Sequence, residues 1–105
     1  MKKIFNMIER TIEKGLHCRY IFKHKQNQYG IIIVILDLKR KNKYVDSIYI
    51  PTVIITKLKY IYINHGIRSF NNDFIYYIIN NVKKSAFRTS LIKYSSVNWG
   101  ELWKK

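Results

Sequence analysis

Apolar residues fall at Ile4, Ile8 and Ile12, with Phe5 beside the first, between polar positions. That spacing predicts an amphipathic helix over residues 2–14. Lys14 stands in its last turn and Gly15 follows, as a helix C-terminus favours. The pattern then changes. A strand is predicted over 16–23, and polar Gln26 to Gly30 reads as a hairpin turn. Ile31 to Leu38 is β-branched and nearly all apolar, which predicts a central strand. Arg40 to Lys43 forms a basic turn. Tyr44 to Ile50 is a third strand, ending before Pro51. The first half is therefore a helix plus a three-stranded antiparallel meander.

The second half allows two readings. Over Thr52 to Ile63, one parity carries Ile55, Lys57, Lys59, Ile61 and Ile63, and a strand fits in part. A helix closed by Asn64-His65-Gly66 also fits. Asn71-Asn72-Asp73 caps a helix or makes a turn. Phe74 to Ile79 is a strand or a buried helix, which periodicity alone does not separate. Ser85 to Tyr94 fits a short helix, and both tryptophans lie in the tail. No internal repeat or flexible linker interrupts the chain.

Composition sharpens this picture. The 105 residues include nineteen isoleucines and one alanine, and 48% of the chain is apolar, which argues against disorder. Isoleucine, lysine, asparagine, tyrosine and phenylalanine share A+T-rich codons, and lysine outnumbers arginine fifteen to five. An A+T-rich genome accounts for that bias. The single cysteine, Cys18, excludes an internal disulfide and reads as a buried structural thiol. The longest apolar run, Ile31 to Leu36, is far short of the ~20 residues of a membrane span. No secretory signal is visible, because Glu9 and Arg10 interrupt the N-terminal apolar pattern.

Charge changes the picture most. Twenty lysines and arginines face six acids, a formal net charge of +14. Such a field favours a polyanion, usually nucleic acid. Acids are absent between Lys14 and Leu36 and again between Phe74 and Gly100. The second gap holds Lys83, Lys84, Arg88 and Lys93 among asparagines, serines and a threonine. Short polar donors among cations suit phosphate and 2′-hydroxyl contacts. For any one cluster, a solvated lysine-rich face is the competing reading. The tyrosines could stack on bases, but Tyr44, Tyr49, Tyr60, Tyr62, Tyr76 and Tyr77 lie in strand-like segments, where packing is expected.

Other chemistry is not visible. His17, His24 and His65 are scattered, and His17 and His24 are expected to point to opposite faces of a strand. One cysteine makes no zinc site, and there is no glycine-rich phosphate loop. Glu9 and Glu13, beside Arg10 and Lys14, read as surface charge. No metal, cofactor or small-molecule substrate is expected.

The order of segments resembles the small-subunit ribosomal protein S-eight family. "IFNMIERTIEKGLHCRYIF" (4–22) is similar to that family's second helix and the strand after it. "QYGIIIVILDLKRKNKYVDSI" (28–48) resembles the strands that follow. "HGIRSF" (65–70) looks like a Pro-Gly-Leu-Arg-aromatic segment, with His65 in place of the proline. "NWGELW" (98–103) resembles a closing Gly-Gly-Glu signature, with Trp99 at the first glycine. The resemblance begins at the family's second helix. "FIYYIINNVKKSAFRTS" (74–90) stands where the family has a hydrophobic strand and a Ser-Thr-Ser-x-Gly loop, but lacks that loop's glycine. It implies an α+β protein. An N-terminal helix and antiparallel meander (1–50) would precede a β-rich, RNA-contacting C-terminal part with a short helix (51–105).

The resemblance also implies a non-catalytic structural protein of a mitochondrial or other organellar small ribosomal subunit. Its partners would be small-subunit rRNA and neighbouring ribosomal proteins, with no membrane. By position, Asn80, Asn81, Lys83, Lys84 and Ser85 would stand at the RNA-contact loop, and Gly100 and Glu101 would close the last strand. Arg88, Lys93, Lys57, Lys59 and Arg68 complete the expected RNA-binding set. Two alternatives are a small basic endoribonuclease of the bacterial toxin kind, using His65, Arg68 and Arg88, and a viral or plasmid nucleic-acid-binding protein.

Overall fold

The computed structural model describes the backbone of residues 2–103 and the side chains of residues 3–95. Helix α1 (Lys2–Gly15) forms where the apolar period places it. Its stripe of Phe5, Ile8 and Ile12 is buried, as is Leu16 just beyond. Residues 16–19 are a turn rather than the start of a strand. His17 and Cys18 both have left-handed backbone angles, and the Cys18 N–H donates to the Glu13 carbonyl at 2.9 Å. His17 and His24 therefore share no strand, and Cys18 is exposed rather than buried.

Strands β1 (Tyr20–Asn27), β2 (Gly30–Asp37) and β3 (Lys43–Pro51) make an antiparallel sheet in the order β1-β2-β3. The Asn27 side-chain oxygen accepts from the N–H groups of Tyr29 and Gly30 at 2.8 and 3.1 Å, fixing the first turn. Gly30 is needed there because a Cβ would lie 2.2 Å from the Ile50 carbonyl oxygen. A short 3₁₀ turn, Leu38–Arg40, leads to left-handed Lys41 and Asn42 and so into β3. A bulge opposite Ile35 and Leu36 leaves Val45 as the extra residue of β3.

Three helices follow: α2 (Thr52–His65), α3 (Ile67–Asn81) and α4 (Ser85–Trp103). The chain is α+β, with the helix and meander the pattern predicts. The β-rich C-terminal part expected over 51–105 is corrected, since residues 52–103 form three helices joined at Gly66 and by residues 82–84, and Gly100 and Glu101 lie in α4, closing no strand. The reason is burial. Phe70, Phe74, Ile75 and Ile78 fall at i, i+4, i+5 and i+8 and are all buried. A strand would turn Ile75 to the face opposite the other three. Asn71, Asn72 and Asp73 sit inside α3.

The α2 isoleucines favour a strand by propensity. Packing overrides it: Leu58 is buried, and Ile54, Ile55 and Tyr62 lie against the core at helical spacing. Phe5 of α1 meets Phe70 and Phe74 edge-on at 5.5 and 5.3 Å. Phe87 of α4 meets Tyr20 at 4.9 Å and Phe22 at 6.0 Å. One core thus joins both halves of the chain and covers one face of the sheet. Burying each such phenylalanine is worth about 1.5–3 kcal/mol.

Candidate nucleic-acid interface

Four of the six acids are spent inside the fold. Glu9 lies against His24, with Oε1 2.9 Å from Nδ1. Burial, then the charge of Glu13, pushes the Glu9 carboxyl up to about 8. Its proton therefore stays on at neutral pH, and the pair is a hydrogen bond rather than an ion pair. Glu13 accepts the Phe22 N–H at 3.2 Å, joining α1 to β1. Neither glutamate is surface charge: Glu9 is buried and Glu13 half-buried.

Asp37 and Asp46 do the same work at the far end of the sheet. Asp37 accepts the Lys39 N–H at 3.0 Å and a guanidinium N–H of Arg19 at 3.5 Å, with Arg40 3.9 Å away. Asp46 reaches from β3 to the α3–α4 linker, accepting the N–H groups of Lys83 at 2.6 Å and Lys84 at 3.0 Å. Burial alone would raise its carboxyl. The N–H donors of Lys84, Lys83 and Ser47, with the charge of Lys83, outweigh that and hold it below the usual carboxylate range.

These ties gather cations at one end of the molecule. Two adjoining recesses of about 540 and 210 Å³ share Arg19 and Tyr20 as walls. Lys39 and Lys93 line the larger, with His17, Ser90 and Tyr94. Arg40, Lys43 and Lys84 line the smaller, with Tyr44 and Asp37. Six cations from the α1–β1 turn, the β2–β3 turn, β3, the α3–α4 linker and α4 thus face one acid, already paired. The Arg19 guanidinium lies over the Tyr20 ring, 5.3 Å from its centre, which holds it at the wall. Gly15 lets the α1 terminus approach α4: a Cβ there would lie 2.0 Å from the Tyr94 ring.

Of the residues expected from sequence to contact RNA, Lys84 and Lys93 line this cleft. Lys83 and Ser85 flank Lys84 and are exposed. Asn81 donates to the Tyr77 carbonyl at 2.7 Å, closing α3 rather than offering its amide outward. Arg88 is half-buried and donates to the Val82 carbonyl, a structural role. Lys57 and Asn80 line a separate recess with Asp73 and Tyr76, while Lys59 and Arg68 are exposed on α2 and α3. The set is therefore divided among different surfaces. Sequence reasoning missed Arg19, Lys39, Arg40 and Lys43 as site residues. The signal was the basic β2–β3 turn, read only as a connection.

Among the described residues, no group of histidine, cysteine, aspartate or glutamate could hold a metal ion, and no helix is long and apolar enough to cross a membrane. Comparison with protein-family models, curated proteins and solved structures finds no match.

Proposed function

We propose that this chain is a non-catalytic binder of folded RNA that docks through the basic cleft. The observation that carries this reading is the convergence of Arg19, Lys39, Arg40, Lys43, Lys84 and Lys93 on two joined recesses with one internally paired acid. Cations from separate elements, held at fixed relative positions, match phosphates arranged in three dimensions. A flexible lysine tail would read charge alone. Arginines suit bidentate phosphate contacts.

The particular setting proposed is a small ribosomal subunit, mitochondrial or of another organelle, with small-subunit rRNA and neighbouring ribosomal proteins as partners. High positive charge on a small chain and A+T-biased composition support it. The helical C-terminal half departs from the sheet-rich part that the S-eight resemblance implies, so this reading rests on the cleft.

The test is binding to a folded RNA, followed by co-sedimentation with small ribosomal subunits. The double charge reversal Lys84→Glu and Lys93→Glu is expected to weaken RNA binding at least tenfold, about 1.4 kcal/mol. Reversal of Lys57 and Lys59 is expected to weaken it less. Equal losses would sink the cleft as the docking site. RNA cleavage abolished by replacing His65 would favour the endoribonuclease instead.

A further inference from the structure

The sheet has a second face, turned away from the core. In register across it lie Lys23, Val34 and Ser47 in one row, and Lys25, Ile32 and Tyr49 in the next. Tyr44 stands at the β3 end of the row beyond Ser47. This face is open: Tyr44 is 57% exposed, Tyr49 48% and Ile32 40%. The hydroxyls of both rings are tied down. Tyr44 donates to the Ser47 hydroxyl at 3.1 Å, and Tyr49 to the Tyr29 carbonyl at 2.8 Å. The Tyr44 hydroxyl is thereby held along β3 and the Tyr49 hydroxyl toward the β1–β2 turn, while both rings stay about half exposed. The two rows that carry the rings are about 13 Å apart, four residues of β2 at the usual strand rise.

The geometry points to a binding surface for an unpaired nucleic-acid strand, its bases stacked on Tyr44 and Tyr49 and its phosphates following Lys23 and Lys25. The inference rests on the proposed RNA-binding reading and adds to the cleft a second surface for single-stranded segments. Charge complementarity selects the occupant. The sheet's acids, Asp37 and Asp46, both lie on the buried face, so the open face carries lysines without a countercharge. A second copy packed face to face would set lysine against lysine. Base stacking on an aromatic ring needs no sequence match and strengthens binding to unpaired strands alone, because duplex bases hide their faces.

The experiment measures binding of the full chain to a short unstructured oligonucleotide, as RNA and as DNA, and to a blunt duplex. The wild type is compared with Tyr49→Leu, with Lys25→Glu and with the Lys84→Glu/Lys93→Glu cleft variant. The tyrosine variant is expected to lose about tenfold or more on the oligonucleotide and to bind the duplex unchanged. Lys25→Glu leaves both rings in place and is expected to weaken oligonucleotide binding more than duplex binding. The cleft variant is expected to weaken both ligands. Unchanged oligonucleotide binding in the tyrosine and Lys25 variants overturns the surface while leaving the cleft reading intact. Equal losses on both ligands, or a shift in oligomeric state by light scattering, also overturn it. A wild-type chain that binds neither ligand at low salt defeats the cleft reading and the surface together.

Discussion

Among the described residues, Glu9 carries a strongly displaced carboxyl. Its carboxyl lies beside His24 in the interior, and its second oxygen, Oε2, is buried with no hydrogen-bond partner among the described residues. Burial and the nearby Glu13 raise its proton affinity from the ordinary 4.5 to about 8. The stability that the raised affinity contributes is full below about 4.5 and is lost as pH rises through about 8. The chain should therefore lose stability toward alkaline pH. Glu9→Gln keeps the shape and removes the titration. Its melting temperature relative to the wild type is expected to climb between pH 5 and pH 9, by several degrees at the alkaline end. A constant difference across that range would contradict the assignment. The tyrosines give another residue-scale lesson. Tyr44, Tyr49, Tyr60 and Tyr76 are exposed where packing was expected, whereas Tyr20 is buried. For Tyr44 and Tyr49 the period-2 pattern assigns one side of β3 but not which side meets the core, whereas Tyr60 and Tyr76 lie on helices, where the strand period does not apply.

Among the elements, the α3–α4 linker depends on a carboxylate far away in the chain. Asp46 accepts two consecutive N–H groups just before α4, so β3 determines where that helix begins. Asp46→Ala leaves those donors short of a partner and is expected to destabilise the fold by about 1–3 kcal/mol, read by urea unfolding. In the wild type the same contact, with its lowered carboxyl affinity, contributes stability above the ordinary value of 3.8 that is lost as pH falls through the lowered value. Asp46→Ala should remove that acid sensitivity, and a variant as stable as the wild type at neutral pH would refute the capping role. Elements built from near neighbours were legible in sequence: α1 by its stripe, and the meander by its turns and β-branched runs, though β1 starts four residues later than its pattern suggests. The helices after Pro51 were less so. In α2 the β-branched residues argue for a strand, and packing against α3, with further contacts to β2 and β3, rewards the helical face of Ile54, Ile55, Leu58 and Tyr62. In α3 the signal was present, since Phe70 to Ile78 has helical spacing once the window extends upstream of Phe74.

For the molecule as a whole, the charge balance has a structural explanation. Glu9, Glu13, Asp37 and Asp46 are engaged inside the fold, and almost nothing negative remains to screen the cations. Binding should therefore weaken steeply with salt. The logarithmic salt slope is expected to fall by ~1 for each cleft lysine neutralised, as counterion release requires. A slope unchanged in the Lys84 and Lys93 variants, measured from low to physiological salt, would place the phosphates elsewhere. The +14 charge and the helix-plus-meander were determined by sequence alone, because composition and near-neighbour periodicity carry them. The site was decided by tertiary structure. Arg19, the 39–43 turn, Lys84 and Lys93 are distant in the chain and share no periodicity. They meet because Asp37 draws in Arg19 and Arg40, Asp46 holds the start of α4, and Gly15 admits Tyr94 against the end of α1. Those are long-range contacts, and a local pattern of apolar and polar residues does not encode them.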